Sequence, residues 1–327
     1  MTENSGRVVY LNGEFVPEAE ARISIYDSAL MFGDMVFEMT RSFNKKQFKL
    51  REHLERLYAS IKFVHIPINL SIDELEAVCH ETIERNEPVF AGHDEHRLMI
   101  NVSRGPLGIY AHLFDGGGQP SVVVADFPLK WTVASMAPLF ESGINAVIPS
   151  QRAIPASLLE PKVKNRSRLH YQMANIEVSQ VIGDNNWALL LDPDGFVAEG
   201  TGDNFFIVAG GSVITPEPRN ILRGISRDYI FELCEMLDIP CLERNIEPYD
   251  VLMADEAFMT GTPFCLLPVT SLGGTAIGAG RPGAMFERLI SEWGRQVGLD
   301  IRAQIKTYGE EVERLNTDAP TPYQFKR

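Results

Sequence analysis

The apolar residues of this chain change their period repeatedly, from two to between three and four and back, which restricts it to a mixed α/β (α+β) architecture. Near the start, Val8–Leu11 and residues 14–16 flank Asn12-Gly13, a two-residue hairpin signal, and a second hairpin is expected around Asn44-Lys45-Lys46. Leu50, Leu54, Leu57, Ile61 and Val64 then step by four and three, one stripe of an amphipathic helix. Ser71 with Glu74 three residues on predicts a capping box opening a helix through Leu75, Val78 and Ile83. Residues 97–103 and 121–127 read as buried strands. Gly116-Gly117-Gly118 between them opens no helix and is read as a loop rather than a phosphate cradle.

Residues 128–140 show no sustained period and include Pro128 and Pro138, so a linker is expected there. It would divide a small α/β N-terminal domain, residues 1–127, from a larger β-rich C-terminal domain, residues 141–327. In the second domain a helix is expected over 167–181 with Leu169, Met173, Ile176 and Val181 inward. Strands should flank Asp192-Pro193-Asp194-Gly195 and Gly210-Gly211, turns that use the fixed φ of proline and the freedom of glycine. Gly224-Ile225-Ser226 opens a helix, residues 256–260 form a strand entering a Gly-Thr-Pro turn, and Phe286, Leu289, Ile290, Trp293 and Val297 make a last helical stripe. The tail after Tyr308 is expected at the surface.

Composition narrows the partners. The 327 residues carry 30 Lys and Arg against 44 Asp and Glu, a net charge of −14 that repels phosphate backbones and anionic lipid. Neither nucleic acid nor a membrane is expected as a partner, and no apolar run approaches the ~20 residues of a spanning helix. Cys79, Cys234, Cys241 and Cys265 lack CxxC spacing and read as reduced thiols. With a polar Met1 to Gly6 segment, they suggest a cytoplasmic protein. The histidines have no ligand spacing, so no metal site is expected.

Lysine is scarce, nine in the chain, and two of them, Lys162 and Lys164, stand beside Pro161. Spacing alone favours a solvated basic pair. The segments around them add more: Lys164-Asn165-Arg166-Ser167-Arg168-Leu169, then Glu199-Gly200-Thr201-Gly202-Asp203-Asn204-Phe205-Phe206, Gly224-Ile225-Ser226-Arg227-Asp228 and Met259-Thr260-Gly261-Thr262-Pro263, with Arg51-Glu52-His53-Leu54-Glu55-Arg56-Leu57 upstream. This ordered set resembles the class IV, or fold-type IV, pyridoxal phosphate enzymes from about Leu11 to Leu299. These include branched-chain aminotransferases, D-amino-acid transaminases, (R)-amine transaminases and aminodeoxychorismate lyases.

The resemblance implies pyridoxal 5'-phosphate as cofactor, a homodimer at least, and transfer of an amino group between an amino acid and a 2-oxo acid. It selects Lys164 as the lysine that bonds the cofactor's aldehyde, because that residue directly precedes the polar stretch entering the helix. Glu199 matches the carboxylate that bonds the pyridine nitrogen, and Arg56 matches the phosphate arginine, whose fork suits phosphate oxygens. Ile225, Ser226 and Thr262 would complete the phosphate cup. Alternation on the strand from Phe37 puts Phe37, Met39 and Arg41 on one face, which the family turns toward the substrate. Met99, Pro263 and Phe264 are added as lining, with Arg41 expected to take a carboxylate. Met99-Ile100-Asn101 stands where branched-chain enzymes carry Tyr-x-Arg, and Pro263 removes a backbone donor. A branched-chain-like transaminase is expected, with a D-amino-acid or (R)-amine transaminase, a lyase of the same fold, or a catalytically silent binding module as competitors.

Overall fold

The computed structural model describes residues 6–114 and 117–314; Asp115, Gly116, the N-terminal segment before Gly6 and the tail beyond Arg314 lie outside the described residues. The chain divides into two compact units. One runs to Leu129 and takes back Val163–Arg168; the other comprises Lys130–Lys162 and the chain from Leu169 on.

The first unit is a five-stranded antiparallel sheet. Its strands are β1 (Val8–Leu11), β2 (Glu14–Pro17), β3 (Met35–Met39), β6 (His96–Ser103) and β7 (Ser121–Pro128), in the order β2-β1-β7-β6-β3. Two further strands, β4 (Ser42–Phe43) and β5 (Lys46–Gln47), form a small hairpin of their own. Asn12 at φ 53° and Gly13 at 103° make the tight turn of the β1–β2 hairpin, and Asn44 and Lys45, at 50° and 66°, repeat that geometry between β4 and β5. After the short α1 (Ser28–Phe32), helices α2 (Leu50–Phe63) and α3 (Ile72–Asn86) cover one face of the sheet. Leu50, Leu54, Leu57 and Ile61 of α2 pack with Leu75 and Cys79 of α3 on Val36, Leu98, Ile100, Val102, Val122 and Val124. Each such side chain contributes about 1.5–3 kcal/mol by leaving water. The capping box forms as read: the Ser71 hydroxyl accepts from the Glu74 N–H while the Glu74 carboxylate accepts from the Ser71 N–H.

The second unit begins with α4 (Lys130–Val133), a 3₁₀ turn and α5 (Leu139–Ser142). Residues 128–140, read as a linker, are thus packed structure: Leu129, Val133, Ala134, Met136, Leu139 and Phe140 are buried. Then come β8 (Ile144–Val147), α6 (Leu169–Ser179), β9 (Asn186–Leu191), β10 (Val197–Gly200), β11 (Asn204–Ala209), β12 (Ser212–Thr215), α7 (Ile225–Met236), β13 (Cys241–Glu243), α8 (Pro248–Met253), β14 (Glu256–Gly261), β15 (Cys265–Leu272), β16 (Thr275–Ala276), α9 (Ala284–Val297) and α10 (Ile301–Arg314). Pairing runs β10-β9-β8-β15-β14-β11 and returns to β10 through Glu199 opposite Asn204, so six strands close a ring. Phe206 and Phe258 stack as a cross-strand pair, and both are fully buried, as are Phe205, Leu266 and Leu267. The helix read over 167–181 forms, but its inward face differs. Leu169 is 74% exposed, whereas Ala174 and Val178 pack on Ala188, Leu190 and Ala198, because small residues let the helix lie close to the strands. Tyr308 is buried within α10; of the tail expected at the surface after it, the part beyond Arg314 lies outside the described residues.

Candidate active site

In the first unit, Lys164 lies on a segment that pairs with the outer edge of β3. The Phe37 N–H donates to the Lys164 carbonyl at 2.9 Å, the Arg166 N–H donates to the Met35 carbonyl at 2.8 Å, and Val36 bridges Asn165 between them. The Asn165 side chain fastens the turn after the lysine, accepting from the Ser167 N–H at 2.9 Å and donating to the Val163 carbonyl at 3.1 Å. Gly33 caps α1 at φ 67°; a Cβ there would stand 2.6 Å from the Ser167 hydroxyl, so that position needs glycine. The Lys164 ammonium lies 5.0 Å from the centre of the Phe37 ring. Its rival Lys162 belongs to the other unit, where its amine pairs with Glu160 at 2.7 Å and with the Arg219 carbonyl at 2.9 Å.

Arg56 reaches off its own helix to β3. Its Nε and one Nη donate to the two oxygens of Glu38 at 2.6 and 2.8 Å, and His53 Nδ1 meets the same carboxylate at 2.7 Å. Burial pushes the Glu38 carboxyl up, but the Arg56 and His53 charges outweigh it and hold it well below the usual carboxylate range. Burial pulls His53 below the usual imidazole value, against the opposing pull of Glu38. Glu38 is a residue the sequence reading missed. Its signal was the alternate face of β3, which points Glu38 at the His53 and Arg56 turn of α2.

The opposite face of that sheet carries Phe37, 2% exposed, and the half-buried Met39 and Met99, which stand directly across from each other. Arg97 approaches the Met39 sulfur at 3.7 Å. Arg41 departs from expectation: β3 ends at Met39, and Arg41, 1% exposed, lies 3.8 Å over Phe43 and donates to the Ser42 carbonyl. It is buried in the body of the unit.

In the second unit the site gathers at the Glu199–Asn204 closure of the strand ring. Glu199 is 5% exposed and accepts from the Tyr171 hydroxyl at 2.9 Å, the Asn204 amide at 3.1 Å and the Leu222 N–H at 3.0 Å. Tyr171, on α6, was not foreseen. Asn204 also lies against Gly224, where a Cβ would come within 2.1 Å of its Oδ1, so only glycine fits at the head of α7. The N–H groups of Ile225 and Ser226 open that helix with no side-chain cap, and the hydroxyls of Ser226 and Thr262 bond nothing among the described residues. These are the donors a phosphate requires. Thr262 and Pro263 form the turn between β14 and β15, while the Phe264 ring beneath it is fully buried against Trp187 and Gly261. Phe264 therefore supports the turn from the core and presents no surface to a ligand. The donor set fits the cofactor implied by the resemblance: unpartnered N–H and O–H groups for a phosphate, and a buried carboxylate for a protonated ring nitrogen.

The family model for class IV amino-transferases matches residues 35–272, and the chain belongs to that family. It is an aminotransferase. A Methanocaldococcus jannaschii protein provisionally assigned as a branched-chain-amino-acid aminotransferase is 36% identical over 307 residues, covering 92% of this chain and 99% of that one. The structure of the Escherichia coli branched-chain amino acid aminotransferase superposes with a TM-score of 0.80 at 28% identity, covering 90% and 94% of the two chains. The branched-chain amino acid aminotransferase of Thermoproteus uzoniensis, solved with norvaline, gives 0.77 at 28% identity, covering 92% and 97%. A further branched-chain amino acid aminotransferase, solved with pyridoxamine 5'-phosphate, gives 0.79 at 29% identity, covering 90% and 95%. Among the described residues no helix is long and apolar enough to cross a membrane.

Proposed function

We propose that the chain is a pyridoxal phosphate-dependent aminotransferase that moves an amino group between an amino acid with an apolar, branched-chain-like side chain and a 2-oxo acid. The observation that carries this reading is the seating of Lys164: its backbone is pinned to β3, its amine lies over Phe37, and the neighbouring lysine is held by Glu160. The apolar side-chain preference is supported by Phe37, Met39 and Met99 on one sheet face, and by the branched-chain relatives above.

The bound cofactor supplies an electron sink for the electrons of the broken α C–H bond. Lys164 would hold the cofactor's aldehyde, and its amine would carry the proton to and from the substrate α-carbon. Glu199 keeps the ring nitrogen protonated, and Tyr171, Asn204 and the Leu222 N–H fix that carboxylate in place. Arg56, Ile225, Ser226 and Thr262 hold the phosphate, with Glu38 setting the angle of the Arg56 fork.

A homodimer is part of the proposal. In the first unit, contact of Tyr26 with Tyr110 brings together two segments that expose Ile25, Leu30, Phe32, Ile109 and Leu113, an apolar surface suited to a second copy. A cytoplasmic location agrees with four cysteines that form no disulfide. Borohydride reduction of the holoenzyme followed by peptide mass mapping should place the pyridoxyl group on Lys164. A label on Lys162, or full activity in Lys164→Ala, overturns the assignment.

A further inference from the structure

Arg166, two residues beyond Lys164, has no place in the roles above. Its guanidinium carbon lies 3.6 Å over the centre of the Phe37 ring, the ring that also faces the Lys164 ammonium. Its Nε and one Nη donate to a single atom, Oδ1 of Asn101, at 3.1 and 2.8 Å. Among the described residues these are the only partners of the side chain, and neither is charged. Of five N–H bonds in the fork two are used and three remain.

Three other arginines of the unit are matched by acids: Arg56 by Glu38, Arg104 by Asp34 and Arg51 by Asp73 and Glu76. Burial, with the like charge of Arg168, draws the Arg166 pKa below the ordinary arginine value, as expected of a cation withdrawn from water without a counter-charge. Asn101 aims the fork without neutralising it, and the aromatic floor fixes its plane.

Resting on the aminotransferase reading, we infer that Arg166 is the residue that receives the α-carboxylate of both the amino acid and the 2-oxo acid, held in aim by Asn101 and Phe37. The α-carboxylate suits it better than a distal acid. It is the one negative charge that every donor and acceptor shares, and it is one bond from the carbon whose amine exchanges with Lys164. A planar carboxylate meets a planar fork in two parallel hydrogen bonds.

The test uses the holoenzyme with leucine and with 3-methylbutylamine, its counterpart without a carboxylate, and calorimetric binding of 4-methylpentanoate against 4-methylpentanamide. In Arg166→Gln, the KM for leucine and the Kd for 4-methylpentanoate should rise ~10- to 100-fold, the loss of one charge-assisted contact, with the amine and the amide unchanged. Asn101→Asp should imitate that loss, because an internal carboxylate competes for the fork. Unaltered acid binding in both variants overturns the inference. So does a loss confined to glutamate and 2-oxoglutarate, which would make Arg166 a reader of the distal acid, and so does release of cofactor from Arg166→Gln. If the wild type transfers no amino group from any acid and retains no lysine-bound cofactor, the underlying reading has failed instead.

Discussion

Arg56 and Arg166 belong to the same unit, both are withdrawn from water, and they differ in what faces them. Arg56 is 12% exposed and meets a fully buried carboxylate through two oxygens, so its charge is cancelled inside the protein and its position is fixed. Arg166 meets a neutral amide and a ring, so its position is fixed while its charge is left over. The difference separates anchoring from readiness. A buried ion pair defines a place, whereas an uncompensated cation stores a demand that a ligand can answer. In the other unit the Glu199 carboxylate is oriented in part by neutral donors, the Tyr171 hydroxyl, the Asn204 amide and the Leu222 N–H.

The hardest blow to this contrast would come from stability. Glu38→Ala leaves Arg56 buried without its carboxylate and should cost about 3–5 kcal/mol in denaturant unfolding, whereas Arg166→Ala should cost under ~1 kcal/mol because it removes an unbalanced charge. Equal losses would erase the distinction. Next in size, Glu199→Gln should retain cofactor yet lower kcat roughly 100-fold or more, since an amide cannot keep the ring nitrogen protonated. Normal turnover at saturating cofactor would reduce Glu199 to an anchor of the Arg56 kind.

Acid should act on the neutralised cluster first. Glu38 has its pKa depressed in the fold, so its stabilisation is present above the ordinary carboxylate range and is lost as pH falls. His53 is also lowered, so its contribution is present above about 6.5 and fades as acid forces a proton onto it. The stability difference between the wild type and His53→Gln should therefore shift against the wild type as pH falls from 7.5 to 5.5; a constant difference removes His53 from the account. Ser71→Ala, which deletes a neutral cap on α3, sets the low end of the scale at about 1 kcal/mol by thermal unfolding.

What the sequence disclosed follows the range of the interaction. The Asn12-Gly13 turn, the α2 stripe and the Ser71 capping box are complete within a few residues, and each forms as read. The motif residues Lys164, Glu199 and Ser226 were visible as short patterns. What stayed hidden depends on distant partners: Glu38 on α2, Asn101 on Arg166 and the Ala174 face of α6 on β9 and β10. Arg41, expected on the Phe37 and Met39 face, lies two residues past the end of β3 and is buried over Phe43, a placement that local alternation does not disclose. Lys162 and Lys164 look equivalent in sequence because nothing local marks the change of unit between them.

The pairing of Val163–Arg168 with β3 has a consequence for cutting the molecule apart. β3 ends the sheet order, and its open hydrogen-bonding side is covered by residues that lie more than a hundred positions further along the chain. A fragment ending at Leu129 would keep all five strands but bare that side, turning β3 into an exposed template for other extended chains. Such a fragment should self-associate, and a peptide spanning residues 162–169 should suppress that by strand addition. The reactive lysine thus also serves as part of an edge guard, and an insertion or circular permutation placed between Lys162 and Leu169 would endanger solubility before it touched chemistry.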